Sequence, residues 1–262
     1  MSRSSPVIVV SPAVRAGTTL VQRLLCSAPN TLVYGDTVGQ EMEFFAKYAT
    51  VKEQMLRFQE SGAAPMRAAV LAGDTSDFIT PLAPPVSVHV AGLRAAALAW
   101  LNTCAEDAAA AGREVWGWKM AGADAMTLPR LAAWFPDARW IWVQRDLADC
   151  FRSAKAANMV AGVPDAEQFA AAAVASASAF ESIAPEALVL DYARMVADPA
   201  GTVRALEDFT GARGIDADVF KVRVNQPGQT VTVPPAALTA GEEAALMRVA
   251  FPPCVTANPL AA

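Results

Sequence analysis

Four β-branched residues in a row, Val7–Val10, run into the segment Val14–Leu20, which reads VRAGTTL, and then into Leu20, Leu24 and Leu25 at helical spacing before Pro29. An unbroken β-branched run suits a strand covered on both faces, as in a parallel sheet, and parallel strands need long crossover connections. The turn between strand and helix carries a glycine, two hydroxyls and a fixed cation. Free N–H groups at a helix start, with a Gly-rich turn before them, make a cradle for an anion. A Walker-type loop would place Lys before its Ser/Thr, and here Gly17 precedes Thr18 directly. The loop therefore predicts an anion site with no obligatory metal. A P-loop kinase or NTPase with an aberrant loop, and a non-catalytic nucleotide-binding protein, are the rival readings.

The same alternation continues down the chain. Glu41–Glu60 reads as a helix with Met42, Phe44, Phe45, Met55 and Phe58 set for packing and Lys47, Lys52 and Glu53 outward. Gly73–Val88 is loop-like, and Ala91–Ala111 is helical and closed by Gly112. Glu114–Trp118 reads as a second strand ending at Lys119, Leu128–Trp134 as a short helix entered at Pro129, and Arg139–Val143 as a third strand with alternating tryptophans. Arg145 then puts a cation at another strand-to-helix junction. An alanine-rich helix at Asp165–Ile183, a strand at Ala187–Leu190 and helices near Pro199–Thr210 and Ala240–Val249 follow, the last two separated by the polar stretch Asn225–Thr230. The pattern predicts an α/β fold of three layers, with a mostly parallel central sheet flanked by helices. No linker or repeat divides residues 1–262, so a single domain is expected, with a helical cap or acceptor-binding region at about 41–112.

Composition narrows the partners. The 262 residues are 54% hydrophobic, with 21 basic and 26 acidic residues for a formal charge of −5. Such a field gives no reason to expect nucleic acid, so any anion site is local. Cys26, Cys104, Cys150 and Cys254 have no paired spacing and read as free thiols, with no metal site. The apolar windows are alanine-dominated and fall short of a membrane span, and the N-terminus lacks a signal-peptide core. A cytoplasmic protein is expected.

Three segments together resemble the sulfotransferase family, whose members use 3′-phosphoadenosine 5′-phosphosulfate (PAPS). They are VRAGTTL with VQRLLCSAPN after it; LPRLAAWFPDARWIWVQRDLADCFRS, from Leu128 to Ser153; and VLDYARMVADPAGTVRALEDFTG. Their order and spacing fit across Val7–Gly211. The resemblance implies that Arg15, Ala16, Gly17, Thr18 and Thr19 hold the 5′-phosphosulfate, that Arg145 and Ser153 bind the 3′-phosphate, and that Tyr192 lies near the nucleotide. It implies Arg15 and Lys119 as catalytic cations, and Asp36 in VYGD as the base, with His89 as the choice if the branch uses histidine and Glu41 and Glu43 close behind. The acceptor is expected to be a hydroxyl or amine on a small molecule or glycan, and the oligomeric state is open. The chain departs from the family at Ala16, at Leu147 and at Tyr192–Met195, and only Arg223, Asn225 and Gly228 stand in the late region where adenosine contacts are expected. Each residue also has a plainer reading. Thr18 can be a helix cap, Arg145 a partner of Asp146, Lys119 an exposed strand-end lysine, Asp36 a turn aspartate, His89 a loop histidine, and Ser153 and Tyr192 surface and packing residues.

Overall fold

A computed structural model describes residues 5–222, 224 and 234–248. Among these residues five strands form one parallel sheet: β1 (Val7–Ser11), β2 (Thr31–Tyr34), β3 (Val115–Ala121), β4 (Arg139–Gln144) and β5 (Leu188–Asp191), in the order β2-β3-β1-β4-β5. β1 pairs with β3 through Val7↔Gly117 to Ser11↔Ala121 and with β4 through Val7↔Arg139 to Val10↔Trp142. From β1 the chain goes to β2 at one edge, and from β3 it crosses past β1 to β4 and β5 at the other, so the direction reverses at β1. Open α/β sheets bind ligands beyond the C-terminal strand ends at such a point.

The unbroken hydrophobicity of β1 is used on both faces. Val7 and Val9 pack with Leu24 and Leu25 of α1 (Thr18–Ser27), and with Met195 and Leu206 from α7 (Tyr192–Ala197) and α8 (Pro199–Thr210). Ile8 and Val10 face the other layer, built from α2 (Asp36–Leu71), α3 (Val86–Ala110), α4 (Leu128–Trp134) and α6 (Gly162–Ile183). Trp116, Trp118, Trp140 and Trp142 line that second face. Trp142 stacks on Phe180 of α6 at 4.2 Å between ring centroids, and Trp118 meets Phe135 edge-on at 5.4 Å. The three-layer α/β expectation holds.

Several local readings need correction. Thr31–Tyr34 is a strand that no alternation announced, because it is only four residues long and pairs on one side with β3 alone. α2 begins at Asp36 and runs to Leu71, and α3 begins at Val86, so His89 sits in a helix and not in a loop. β3 continues past Trp118, which puts Lys119 inside the strand and buried. On α2, Phe44, Met55 and Phe58 point to solvent, while Glu53 turns inward and pairs with Arg130. Cys104 and Cys150 are buried free thiols and Cys26 is half-buried, and burial pushes the Cys150 thiol up to about 12. Arg223, the stretch Asn225–Thr230 with Gly228, Val249 and Cys254 lie outside the described residues.

Two close contacts set how the outer helices sit. Gly39 of α2 lies on the β3 backbone, where a Cβ would come 2.2 Å from the Lys119 carbonyl oxygen. Only a residue without a side chain lets α2 approach the strand this closely. On the other flank, Lys155 of α5 (Leu147–Ala156) donates to both oxygens of Glu242 at 2.9 and 2.8 Å, and α9 (Ala240–Met247) is thereby tied to α5. The Glu242 carboxylate also accepts the N–H of Gly162 at 3.0 Å and of Thr239 at 2.7 Å, completing a capping box.

Lys155 first, then these backbone donors, hold the Glu242 carboxyl down to about 2, against an ordinary 4.5. A carboxyl depressed by folding stabilises fully above its ordinary pKa, and that contribution is lost as pH falls through the folded value. Hydrogen exchange is therefore expected to show α9 protected from neutral pH to below 4 and released on approach to pH 2. Glu242→Gln should remove that protection already at neutral pH.

Candidate active site

Residues 12–17 connect β1 to α1 over the sheet's C-terminal edge. Ser11, wholly buried, shapes the turn: its Oγ donates to the Ala13 carbonyl at 2.8 Å and accepts the Gly122 N–H at 3.3 Å, while its carbonyl accepts the Ala123 N–H at 2.9 Å. The loop after β3 is thus bonded to the loop after β1. Arg15 and Gly17 both adopt left-handed backbone conformations, with φ of 69° and 113°. Gly17 caps α1 with no side-chain bond to the first N–H groups, which leaves the helix N-terminus facing the crevice without a built-in acceptor from its cap. Ala16 is buried among Leu147, Cys150 and Phe151, so only its backbone is presented to the crevice side. Thr18 is buried and Thr19 exposed.

The loop is locked to the ends of β4 and β5. The Arg15 Nε donates to Ser153 Oγ at 3.1 Å, across 138 residues of sequence. Arg145 Nη1 donates to the Arg15 carbonyl at 3.4 Å, and its guanidinium carbon lies 4.5 Å from the centroid of the Tyr192 ring. That ring also covers Gly17, where a Cβ would fall 2.5 Å from Tyr192 Cδ2. Seven residues predicted from separate segments, Arg15, Ala16, Gly17, Thr18, Arg145, Ser153 and Tyr192, are therefore brought into one cluster or its immediate neighbours. Asp146 caps α5 by accepting the Asp149 N–H at 2.8 Å, and it is Asp149, not Asp146, that approaches Arg145, at 3.8 Å. The Arg145 Nε is buried and has no hydrogen-bond partner among the described residues. A buried donor left unpaired is costly, which singles this guanidinium out among the cations of the cluster.

Lys119 and Asp36 form a salt bridge, with the lysine side chain 5% exposed and the aspartate half-exposed. Asp36 opens α2 at a position where the helix dipole favours a carboxylate. Two turns on, Glu43 accepts the Asp124 N–H at 2.8 Å, and burial raises its carboxyl above the usual range. Asp124 closes the loop whose Gly122 rests on Val14. The seven-residue spacing from Asp36 to Glu43 was the legible signal that both share a face. Glu41 points instead toward α3, where its charge helps raise the Cys104 thiol after burial, the larger cause. His89 is not part of this cluster. It follows Val86, which shares a cleft with Leu56, about 30 Å along α2 from Asp36.

The left-handed backbone of Gly17 and its contact with Tyr192 make this the site's most sensitive position. Gly17→Ala is expected to lower stability by about 1–3 kcal/mol, read as a shift in the urea unfolding midpoint.

Comparison with known proteins bears on the fold and the family. Over 95% of both chains the structure is similar to the sulfotransferase domain of the Synechococcus PCC 7002 olefin synthase, with a TM-score of 0.50 and 16% identity. It is also similar to sulfotransferase STF1 from Mycobacterium tuberculosis H37Rv (TM-score 0.44, 16% identity, 94% of this chain and 71% of that one). The third is sulfotransferase STF9 from Mycobacterium avium (0.42, 15%, 95% and 68%). No curated protein matches the chain. Residues 6–216 match the family described as the sulfotransferase family, and the chain belongs to that family.

Proposed function

We propose that the protein transfers a sulfuryl group from PAPS to a hydroxyl or amine of a small-molecule or carbohydrate acceptor, with no obligatory metal and as a single domain in which α2 and α3 border the acceptor. The observation that carries this reading is the Arg145 guanidinium, pinned between Tyr192 and the Arg15 carbonyl with its Nε unpaired. It fits the 3′-phosphate role that the family assigns to this arginine together with Ser153. The bond from Arg15 to Ser153 makes the two halves of the clamp adjacent, as a donor bearing anionic groups at both the 3′ and 5′ positions requires.

In the transfer, the sulfur's bond to the 5′-phosphate oxygen breaks, a bond to the acceptor oxygen or nitrogen forms, and the acceptor proton leaves to a base. Negative charge grows on the departing phosphate. Arg15, Lys119 and the N–H groups opening α1 are the groups of this chain that can meet it, by electrostatic stabilisation of the kind that dominates phosphoryl transfer. Asp36 is the proposed base, and Glu43 is the second carboxylate on the same helix face. His89, at the start of α3 beside the far half of α2, is given no part in the step.

Calorimetry tests the donor assignment. Adenosine 3′,5′-bisphosphate is expected to bind in the presence of EDTA, and Arg145→Ala to weaken it by about 30-fold or more, as for loss of a charge-assisted bidentate contact. Absence of heat with the bisphosphate, alongside Mg-dependent binding of a nucleoside triphosphate, would rule the reading out. Lys119→Met is expected to lower turnover by about 100-fold, measured with isotopically labelled donor and an accepted substrate.

Among the described residues no helix is long and apolar enough to cross a membrane. A soluble cytoplasmic location, and no nucleic-acid partner given the net charge of −5, belong to the same proposal.

A further inference from the structure

α2 has two apolar faces. Met42, Ala46 and Ala49 are buried against the sheet and α3. On the opposite side Phe44, Tyr48, Val51, Met55 and Phe58 follow at spacings of four, three, four and three residues, and are 71, 54, 40, 51 and 90% exposed. That spacing is the narrow a/d seam of a coiled coil, not the broader stripe a helix lays on its own core. It extends over about 21 Å of the helix.

The seam is its own complement when reversed. About a two-fold axis at Val51, Phe44 of one copy meets Phe58 of the other, Tyr48 meets Met55, and Val51 meets Val51. This is the self-matching order an isologous interface needs. The area is sufficient too. At about 200 Å² for a whole aromatic residue, the three rings offer about 430 Å² per copy. With Val51 and Met55 added, two copies would bury on the order of 1,100 Å², above the roughly 1,000 Å² a specific interface should clear. The flanking charges select the direction. Parallel pairing would set Lys47 against Lys52 on both sides of the seam. Antiparallel pairing sets Lys47 against Gln54 and brings only the two Lys52 chains together near the axis. Lys47 already has a partner in Asp124 at 3.1 Å.

We propose that the protein forms a two-fold homodimer through an antiparallel α2 seam. Sedimentation velocity on the full chain, from about 1 to about 100 μM, is expected to show a concentration-dependent dimer. Met55→Glu, at an exposed site and with an unchanged circular dichroism spectrum, should weaken the dimer by about 30-fold or more. Lys52→Gln should tighten it about two- to fivefold by removing the like-charge pair. Each of three results overturns the proposal: a monomer throughout, including one that pellets with phosphatidylserine vesicles; a dimer indifferent to Met55→Glu; or a dimer weakened by Lys52→Gln.

Discussion

β1 is hydrogen-bonded along both edges, to Gly117–Ala121 on one side and to Arg139–Trp142 on the other. With both edges hydrogen-bonded and both faces packed, the strand cannot shift register without breaking two ladders and repacking two cores at once. The end of β1 is therefore a fixed point, and the loops after β3 and β4 end beside it. Ser11 converts that fixed point into a shaped turn by bonding to Ala13 within its own loop and to Gly122 and Ala123 in the next. Arg15 and Arg145 then meet because their strands are neighbours, not because either side chain seeks the other.

Much of this was legible because the chemistry is contiguous. A strand, a glycine turn and a helix start occupy adjacent residues, so VRAGTTL and the Gln144-Arg145 junction announced their places in the fold locally. The place of Tyr192 was harder to read, since it packs on Gly17 across 175 positions of sequence. β2 was missed because an edge strand of four residues leaves almost no periodicity to read. Lys119 reads from the sequence as a strand-end residue, and the pairing with Asp36 explains how its charge lies buried inside the strand.

α2 shows a different limit of pattern reading. Two apolar faces on opposite sides of one helix cancel as a period, so the sequence alone does not say which face meets the core. Small residues decide it. Gly39, Ala46 and Ala49 let the backbone close on β3 and α3, which leaves the larger Phe44, Met55 and Phe58 on the outside. Glu53 follows the small-residue face inward because Arg130 awaits it there.

The pairing of Lys119 with Asp36 joins fold to chemistry. A lysine this deeply buried needs its carboxylate, and removing either partner leaves an uncompensated charge or an unsolvated amine. Gly39 brings α2 close enough for that carboxylate to reach, so the contact that seats the helix also sets the ion pair. In the proposed transfer the two groups face opposite demands, since the lysine is drawn toward the charge growing on the leaving phosphate while the aspartate must take a proton. These demands reinforce each other. As the charge growing on the phosphate draws the lysine, its hold on the aspartate slackens, and the carboxylate is freed to meet the proton that the acceptor releases.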